Sequence, residues 1–156
     1  MAYKCQRLFR DARIFSIYEG TTQLQVVAAI RYIMNGAYLN IMKEMLDKEV
    51  EDAWKPLHDR LKVLAKQYEE AVNIVKEADN QEMQDFLARR LYNMTANLLM
   101  SVLLIDDASR LPELFAKSAH VYMRHTEEEN TGHYMFIKNF RAEDLSNYRS
   151  LEQEAE

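Results

Sequence analysis

Glycine, proline and cysteine are all scarce in this sequence of 156 residues. It contains three Gly and two Pro, whereas average usage would give roughly 19 of these two types together. A β-sandwich or barrel needs many tight turns, and a dinucleotide-binding fold needs a glycine-rich loop. The shortage therefore argues against both classes and predicts an all-α protein, in which long helices are joined by few connections.

Cys5 is the only cysteine, so an intramolecular disulfide and a cysteine-based zinc site are excluded. No nucleophile signature surrounds it, which favours an unreactive thiol. The longest apolar run, residues 98–105, is interrupted by Ser101 and is too short to span a bilayer. The N-terminus also lacks the pattern of a signal peptide. These features predict a soluble, cytoplasmic protein without an integral membrane segment.

Excess positive charge is missing as well. The formal net charge is −5, the sequence pI is about 5.5 and the sequence has no basic cluster. Binding to nucleic acid through phosphates needs a basic face, and so does docking on anionic lipid. We therefore expect no nucleic-acid partner, and a membrane role is disfavoured.

Apolar residues recur at steps of three and four along most of the chain, which is the period of amphipathic helices. The pattern predicts an antiparallel, up-and-down helical bundle. We expect the helix from about residue 80 to 105 to be central, because it is apolar nearly all round after Met94. The predicted helices are 3–13, from Thr21 or Thr22 to about 54, 57–78, about 80–105 and 113–140, followed by a polar tail (141–156) that is expected to fray.

Particular residues mark the predicted ends and faces of these helices. We expect Gly36 to lie within a helix at a point of close packing, and Pro56 to stop or kink the first long helix. Asp79 or Asn80 is a candidate cap, and Pro112 suits a first helical turn. In the last helix the residues expected to face inward are Leu114, Phe115, Ser118, Val121 or Tyr122, Met135 or Phe136, and Phe140.

Residues 10–25 read RDARIFSIYEGTTQLQ. Taken alone, the YEGTT segment is an ordinary helix–turn–helix with Thr22 as the cap. The longer stretch, however, resembles the C-terminal signature of acyl-CoA dehydrogenases, in which a helix ending in Arg-Asp-Ala-Arg leads into Ile-Tyr-Glu-Gly-Thr and a second helix. The close resemblance covers residues 7 to about 31 without a gap.

The resemblance implies an oxidoreductase that uses FAD. In most members of the family the glutamate of this motif is the catalytic base, and Glu19 holds that position. It would remove the α-proton of an acyl-CoA thioester while the β-carbon gives hydride to the flavin, yielding a 2-enoyl-CoA. The resemblance also implies substrate-binding roles for Tyr18 and Gly20, and cofactor-binding roles for Thr21, Thr22 and Gln23.

The chemistry explains why these residue types are needed. An exposed carboxylate has a pKa near 4, far below that of a thioester α-proton. Burial beside an apolar acyl chain raises the carboxylate pKa. In the family the backbone N–H of the same glutamate also donates to the thioester oxygen, which stabilises the enolate as it forms. The helix that begins after Gly20 offers free N–H groups to a pyrophosphate.

The sequence departs from the family in two ways. Val26 follows Gln25 where family members usually have arginine, and no β-domain is present. We expect residues 1–54 to form the last two helices of the catalytic α-domain. Residues 55–156 are expected to form an appended helical bundle with a polar tail, like the extension of long-chain members.

The chain is thus predicted to be a C-terminal fragment that is not active and does not bind FAD alone. The expected partners in the full enzyme are the acyl-CoA substrate and an electron-transfer protein, and a homo-oligomer is expected. The alternative function is a free-standing helical oligomerisation or interaction protein that kept the motif after losing catalysis.

Two other features of the sequence have structural explanations. His125, Glu129 and His133 follow at steps of four, as metal ligands on one helix face might. A di-iron bundle would need Glu-x-x-His pairs and further carboxylates on facing helices, so we expect no metal site. The nine methionines suit an adaptable groove, but their helical spacing favours the core.

Overall fold

The structure is a computed structural model that describes residues 10–12, 22–78 and 80–153. Within these ranges it is helical, without a strand, so the predicted all-α class is confirmed. Residues 10–12 are helical. The longer elements are α1 (Thr22–Met34), α2 (Ala37–Leu46), α3 (Lys55–Glu77), α4 (Gln81–Arg110), α5 (Pro112–Asn139) and α6 (Ala142–Gln153).

Helices α3, α4 and α5 form an up-and-down bundle, with α4 in contact with α1, α2, α3 and α5. The breaks between Glu77 and Gln81 and between Arg110 and Pro112 are short, so consecutive helices pack side by side. The central place of α4 agrees with its prediction. One continuous hydrophobic core includes Ile33 of α1 and Met42 and Leu46 of α2, together with residues of α3, α4 and α5.

The apolar faces predicted for α3 and α4 are confirmed. Pro56 lies in the first turn of α3, where its missing N–H costs no hydrogen bond. Asn80 caps α4, because its side-chain oxygen accepts a hydrogen bond from the backbone N–H of Met83 at 3.2 Å. The buried residues that the periodicity predicted are Leu57, Leu61, Leu64, Tyr68, Ala71, Val72 and Val75 on α3, and Met83, Leu87, Leu91, Met94, Leu98, Val102 and Ile105 on α4.

The single long helix predicted from about residue 22 to 54 is wrong, because the chain turns at Gly36. This glycine has φ +83°, a left-handed conformation that side-chain-bearing residues rarely adopt. A Cβ at this position would meet no atom within 4 Å, so Gly36 serves the turn rather than close packing. The turn shifts the buried face of α2, where Met42 is buried and Ile41 is exposed.

The face predicted for α5 is only partly right. Phe115 and Phe136 are partly buried against the core, but other predicted positions are exposed. Leu114 is 65% exposed and Val121 is 72% exposed, and Ser118 and Met135 are exposed as well. The buried residues of α5 are Ala119, Met123, Thr126, Asn130, Tyr134 and Ile137. This face includes the polar residues Thr126 and Asn130. The spacing of apolar side chains alone therefore indicated a different face of the helix. Phe140, just after α5, is buried as expected.

The tail that was expected to fray contains α6. The backbone N–H of Arg141 donates to the Asp144 carboxylate at 2.7 Å, which fixes the first turn of this helix. The Arg141 guanidinium donates to the carbonyls of Lys138 and Phe140, each at 2.9 Å, and so caps the end of α5. Leu145 is buried against the core.

Candidate functional site

Most of the predicted catalytic motif lies outside the described residues. The structure does not describe Tyr18, Glu19, Gly20 and Thr21, nor the side chains of Thr22 and Gln23. The backbone of Thr22 begins α1, as the motif predicted for the helix that follows the glutamate. The roles assigned to these six residues therefore stay predictions.

Packing on α4 fixes the helix that carries the end of the motif. Val26 is fully buried and Ile33 is 1% exposed. Ala29 and Ile33 of α1 line a small crevice together with Tyr92 and Leu99 of α4. Val26 stands where the family usually has arginine, and its burial excludes a polar contact from this position. The first turn of α1 contains no acidic residue, so its positive dipole end is not compensated there.

A buried polar seam joins α4 to α5. The hydroxyls of Ser101 and Thr126 lie 2.8 Å apart. The Asn97 amide donates to the Asn130 side-chain oxygen at 3.0 Å, and the Asn130 amide donates to the carbonyl of Met94 at 3.2 Å. Thr126 and Asn130 are fully buried. Since unpaired buried polar groups are costly, these bonds select one register between the two helices.

Tyr68 and Thr95 form a second buried polar pair, between α3 and α4, with their hydroxyl oxygens 2.9 Å apart. Burial is the main cause that raises the pKa of Tyr68 to about 12. The phenol therefore stays neutral at physiological pH, which suits a structural hydrogen bond and not a catalytic base.

His58 is the buried histidine of α3. Its side chain is 6% exposed, and its Nε2 has no hydrogen-bond partner among the described residues. It lines a crevice of about 250 Å³ beneath the segment that joins α2 to α3. Burial first, and the charge of Lys62 second, lower the pKa of His58, while Asp59 raises it. The imidazole is therefore neutral at physiological pH.

An arginine-capped aromatic cluster lies where the beginning of α4 meets the end of α5. The guanidinium carbon of Arg90 is 3.5 Å from the ring centroid of Phe136. The rings of Phe136 and Phe140 stack with centroids 5.3 Å apart, and those of Phe140 and Phe86 stack at 5.0 Å. A groove of about 710 Å³ runs beside this cluster between α5 and α6.

The histidines considered as metal ligands make other contacts. The ring of His125 lies 5.7 Å from that of Tyr122. The Nε2 of His133 is 3.8 Å from a Glu129 oxygen and 3.5 Å from the Asn93 amide nitrogen. Burial and then the charge of Arg90 lower the pKa of His133, while Glu129 raises it. Across residues 10–12, 22–78 and 80–153, no three His, Cys, Asp or Glu residues come together as a metal site would need.

In the same described ranges, none of the helices combines the length and the apolar composition that crossing a membrane requires.

Comparisons with known proteins agree with this fold. The family model described as acyl-CoA dehydrogenase C terminal matches residues 34–145. A solved structure described as an acyl-CoA dehydrogenase family protein from Porphyromonas gingivalis is 33% identical in sequence, with a TM-score of 0.67. The match covers 73% of this chain and 98% of that one. No curated protein matches.

The chain belongs to the acyl-CoA dehydrogenase family, and residues 34–145 correspond to its C-terminal domain. The family match begins after the motif at residues 10–25. It therefore supports the resemblance from a different part of the chain, while leaving the role of Glu19 as a prediction.

Neither the polar seam nor the aromatic cluster was predicted from the sequence. The seam had a weak signal, because Thr126 and Asn130 continue the helical spacing of Met123. The aromatic cluster had none, because Phe86 is 50 positions away from Phe136 and only the fold brings the two helices together.

Proposed function

We propose that this chain is the C-terminal part of an FAD-dependent acyl-CoA dehydrogenase and that Glu19 is the catalytic base. The observation that carries the proposal is the family match over residues 34–145, which begins shortly after the RDARIFSIYEGTTQLQ segment at residues 10–25. In the proposed reaction the Glu19 carboxylate takes the α-proton of an acyl-CoA thioester, the β-carbon loses hydride, and the product is a 2-enoyl-CoA.

The proposed roles of the motif residues follow from the difficulty of removing this proton. Glu19 needs an apolar surrounding, which raises its pKa towards that of an effective base. Tyr18 would form a wall of the substrate pocket, and Gly20 would leave room for the substrate beside the backbone. The N–H of Glu19 would donate to the thioester oxygen, where negative charge develops.

FAD, when bound, accepts the hydride. Thr21, Thr22 and Gln23 would hold it, since their side chains can donate hydrogen bonds and their backbone N–H groups open α1. The first turn of α1 fits an anionic group because it carries no acidic residue. Burial of Val26 and Ile33 fixes the direction of this helix. We expect this chain alone to lack activity and bound FAD, because the β-domain that completes the sites is absent from its sequence.

The decisive test is a Glu19→Gln substitution in the full enzyme. Gln has nearly the same shape but cannot take the proton, so kcat should fall by about 10²- to 10⁴-fold with FAD content unchanged. Glu44→Gln is the matched control, because Glu44 is exposed on α2, and it should leave kcat unaltered. Activity of Glu19→Gln close to that of the wild type would refute the assignment.

Exposed apolar residues favour one alternative, a free-standing helical oligomerisation protein that has lost catalysis. Leu24 and Val27 on α1 and Met100 and Leu103 on α4 are each about half exposed, and such side chains favour association. An antibody against residues 57–145, applied to source-cell extract, separates the two functions. A native polypeptide several-fold larger than 18.4 kDa supports the enzyme, whereas one of 18.4 kDa supports the alternative.

A further inference from the structure

His58 is a buried polar side chain with one nitrogen unpaired in the part of the chain that the structure describes. The side chain is 6% exposed, and its Nε2 makes no hydrogen bond to the described residues. A buried polar atom without a partner is costly, and a bound ligand is one way to satisfy it. Because burial lowers the pKa of His58, the imidazole is neutral at physiological pH and one of its nitrogens can accept a hydrogen bond.

The crevice that His58 lines is acidic. It has a volume of about 250 Å³, and its charged lining residues are Glu49, Glu51, Asp106 and Lys48. Even when Arg110 is counted, which pairs with Asp106 at 2.6 Å, three carboxylates stand against two cations. The charged neighbours of His58 on α3, a lysine and an aspartate, act on it in opposite directions. The charges around the crevice therefore favour a cation.

Two helix ends add to the negative potential of this crevice. Helix α2 ends at Leu46 and α4 ends at Arg110, and Leu46 and Ser109 line the crevice. The carbonyl ends of helices carry partial negative charge. The beginning of α3, where His58 lies, acts in the opposite sense, so two of the three helix ends at the crevice favour a cation.

The floor of the crevice is apolar. Leu46, Leu61, Val102 and Ile105 line it, and each is at most 6% exposed. Small-molecule sites in proteins usually have volumes of about 300–1,000 Å³ and an apolar lining with a few polar groups. A volume of about 250 Å³ therefore suits a small ligand that has a hydrocarbon part and one cationic group.

We propose that this crevice binds a small primary aliphatic amine in its ammonium form. The hydrocarbon chain lies on Leu61, Val102 and Ile105. The ammonium has three N–H donors, which pair with the carboxylates of Glu49 and Glu51 and with Nε2 of His58. The site is separate from the Glu19 motif and does not depend on its proposed role.

The segment that joins α2 to α3 gives the ammonium access to the buried nitrogen. Residues 47–54 lie outside the helices, and Glu49 and Glu51 are exposed on this segment. Since Nε2 of His58 is buried, the segment must shift outwards for the ligand to reach it. The two glutamates then close over the bound ammonium.

Hexylamine tests the proposal on the 156-residue chain, with calorimetry for affinity and NMR spectra for location. At about pH 7.5 the amine is protonated, because its pKa resembles that of lysine, about 10.4. Saturable binding should shift the imidazole nitrogen signals of His58 and the amide signals of residues 46–51 and 105–109. Hexanol lacks the charge, hexanoate has the opposite charge and methylamine lacks the chain, so each should bind at least about tenfold more weakly than hexylamine.

Variants test the two kinds of ammonium partner. The double variant Glu49→Gln with Glu51→Gln should weaken hexylamine binding about three- to tenfold, and its fold should persist because both side chains are exposed. His58→Phe should weaken binding about 10- to 100-fold, because a hydrogen bond to a charged group is lost. Glu44→Gln with Glu77→Gln is the matched control, since both residues are exposed and do not line the crevice, and it should leave the affinity unaltered.

The opposite results would overturn the proposal. These are the absence of saturable hexylamine binding, equal binding of hexanol or hexanoate, or an affinity of the Glu49 and Glu51 double variant equal to that of the control pair. Binding that leaves the imidazole signals of His58 unshifted would also contradict it. The double variant decides the question even if His58→Phe does not fold.

Discussion

A neutral histidine beneath the segment that joins α2 to α3 makes the stability of this chain depend on pH. His58 has its pKa lowered from 6.5 in the folded chain, mainly by burial. Below pH 6.5 the unfolded chain therefore binds a proton that the folded chain resists. The contribution of His58 to stability is fully present above pH 6.5 and is lost as the pH falls through the lowered pKa.

Replacing His58 by Gln should reduce this dependence. The wild-type chain should lose more free energy of unfolding between about pH 7.5 and about pH 5 than His58→Gln, because Gln does not titrate. Urea denaturation at both pH values measures the difference. His125→Gln is the control for composition, since the ring of His125 is exposed. Equal losses in wild type and His58→Gln would show that His58 is not responsible.

Acidic neighbours do not reverse this expectation. Glu49, Glu51 and Asp106 line the same crevice as His58, and each would favour a protonated imidazole. Glu49 and Glu51 are exposed to solvent, where charge interactions are screened. Asp106 is already paired with Arg110 at 2.6 Å. The charges of Lys62 and Asp59 on α3 act in opposite directions, which leaves burial as the main cause.

Asn130 belongs to the buried polar seam between α4 and α5. Asn130→Ala should lower the free energy of unfolding by about 2 kcal/mol, because it leaves the Asn97 amide and the Met94 carbonyl without their partner. Thermal or urea denaturation measures the loss. Asn139→Ala, at an exposed position near the end of α5, is the control and should change stability little. Equal effects of the two substitutions would contradict a structural role for the seam.

At the scale of elements, Gly36 and Gly132 have different backbone conformations, so replacing each by alanine should change the stability of the chain in opposite directions. Gly36→Ala should destabilise the chain by about 1 kcal/mol, because alanine tolerates the left-handed turn poorly. Gly132→Ala should stabilise it by about 0.5–1 kcal/mol, because Gly132 lies inside α5. Neither added Cβ meets an atom within 4 Å, so backbone conformation alone decides the sign. Denaturation curves of both variants that shift in the same direction would refute this explanation.

Sequence periodicity predicted α3 and α4 well and α5 only in part, for a physical reason. The buried faces of α3 and α4 are mostly apolar, so the spacing of Leu, Val and Met identifies them. The buried face of α5 contains Thr126 and Asn130. Their burial is possible only because α4 offers Ser101 and Asn97 as partners, and this pairing cannot be seen in either helix alone.

At the scale of the whole molecule, family membership was predicted from a stretch that precedes most of the fold. The RDARIFSIYEGTTQLQ segment suggested the family, and the match over residues 34–145 confirmed it. The predicted division near residue 55 stays a prediction, while Ile33, Met42 and Leu46 share one hydrophobic core with α3, α4 and α5. Sites such as the Arg90–Phe136 pair depend on distant helices meeting, so no local motif predicts them.

The very short connection between α4 and α5 has a consequence for how two copies of the chain can combine. Leu111 is the single residue between these helices. If it became helical, α5 would swing away and could fold onto the α4 of a second copy, with every hydrogen bond of the polar seam restored between chains. Pro112 opposes this domain exchange, because in one continuous helix its ring would clash with the carbonyl of Ala108. A single proline thus keeps the bundle closed within one chain.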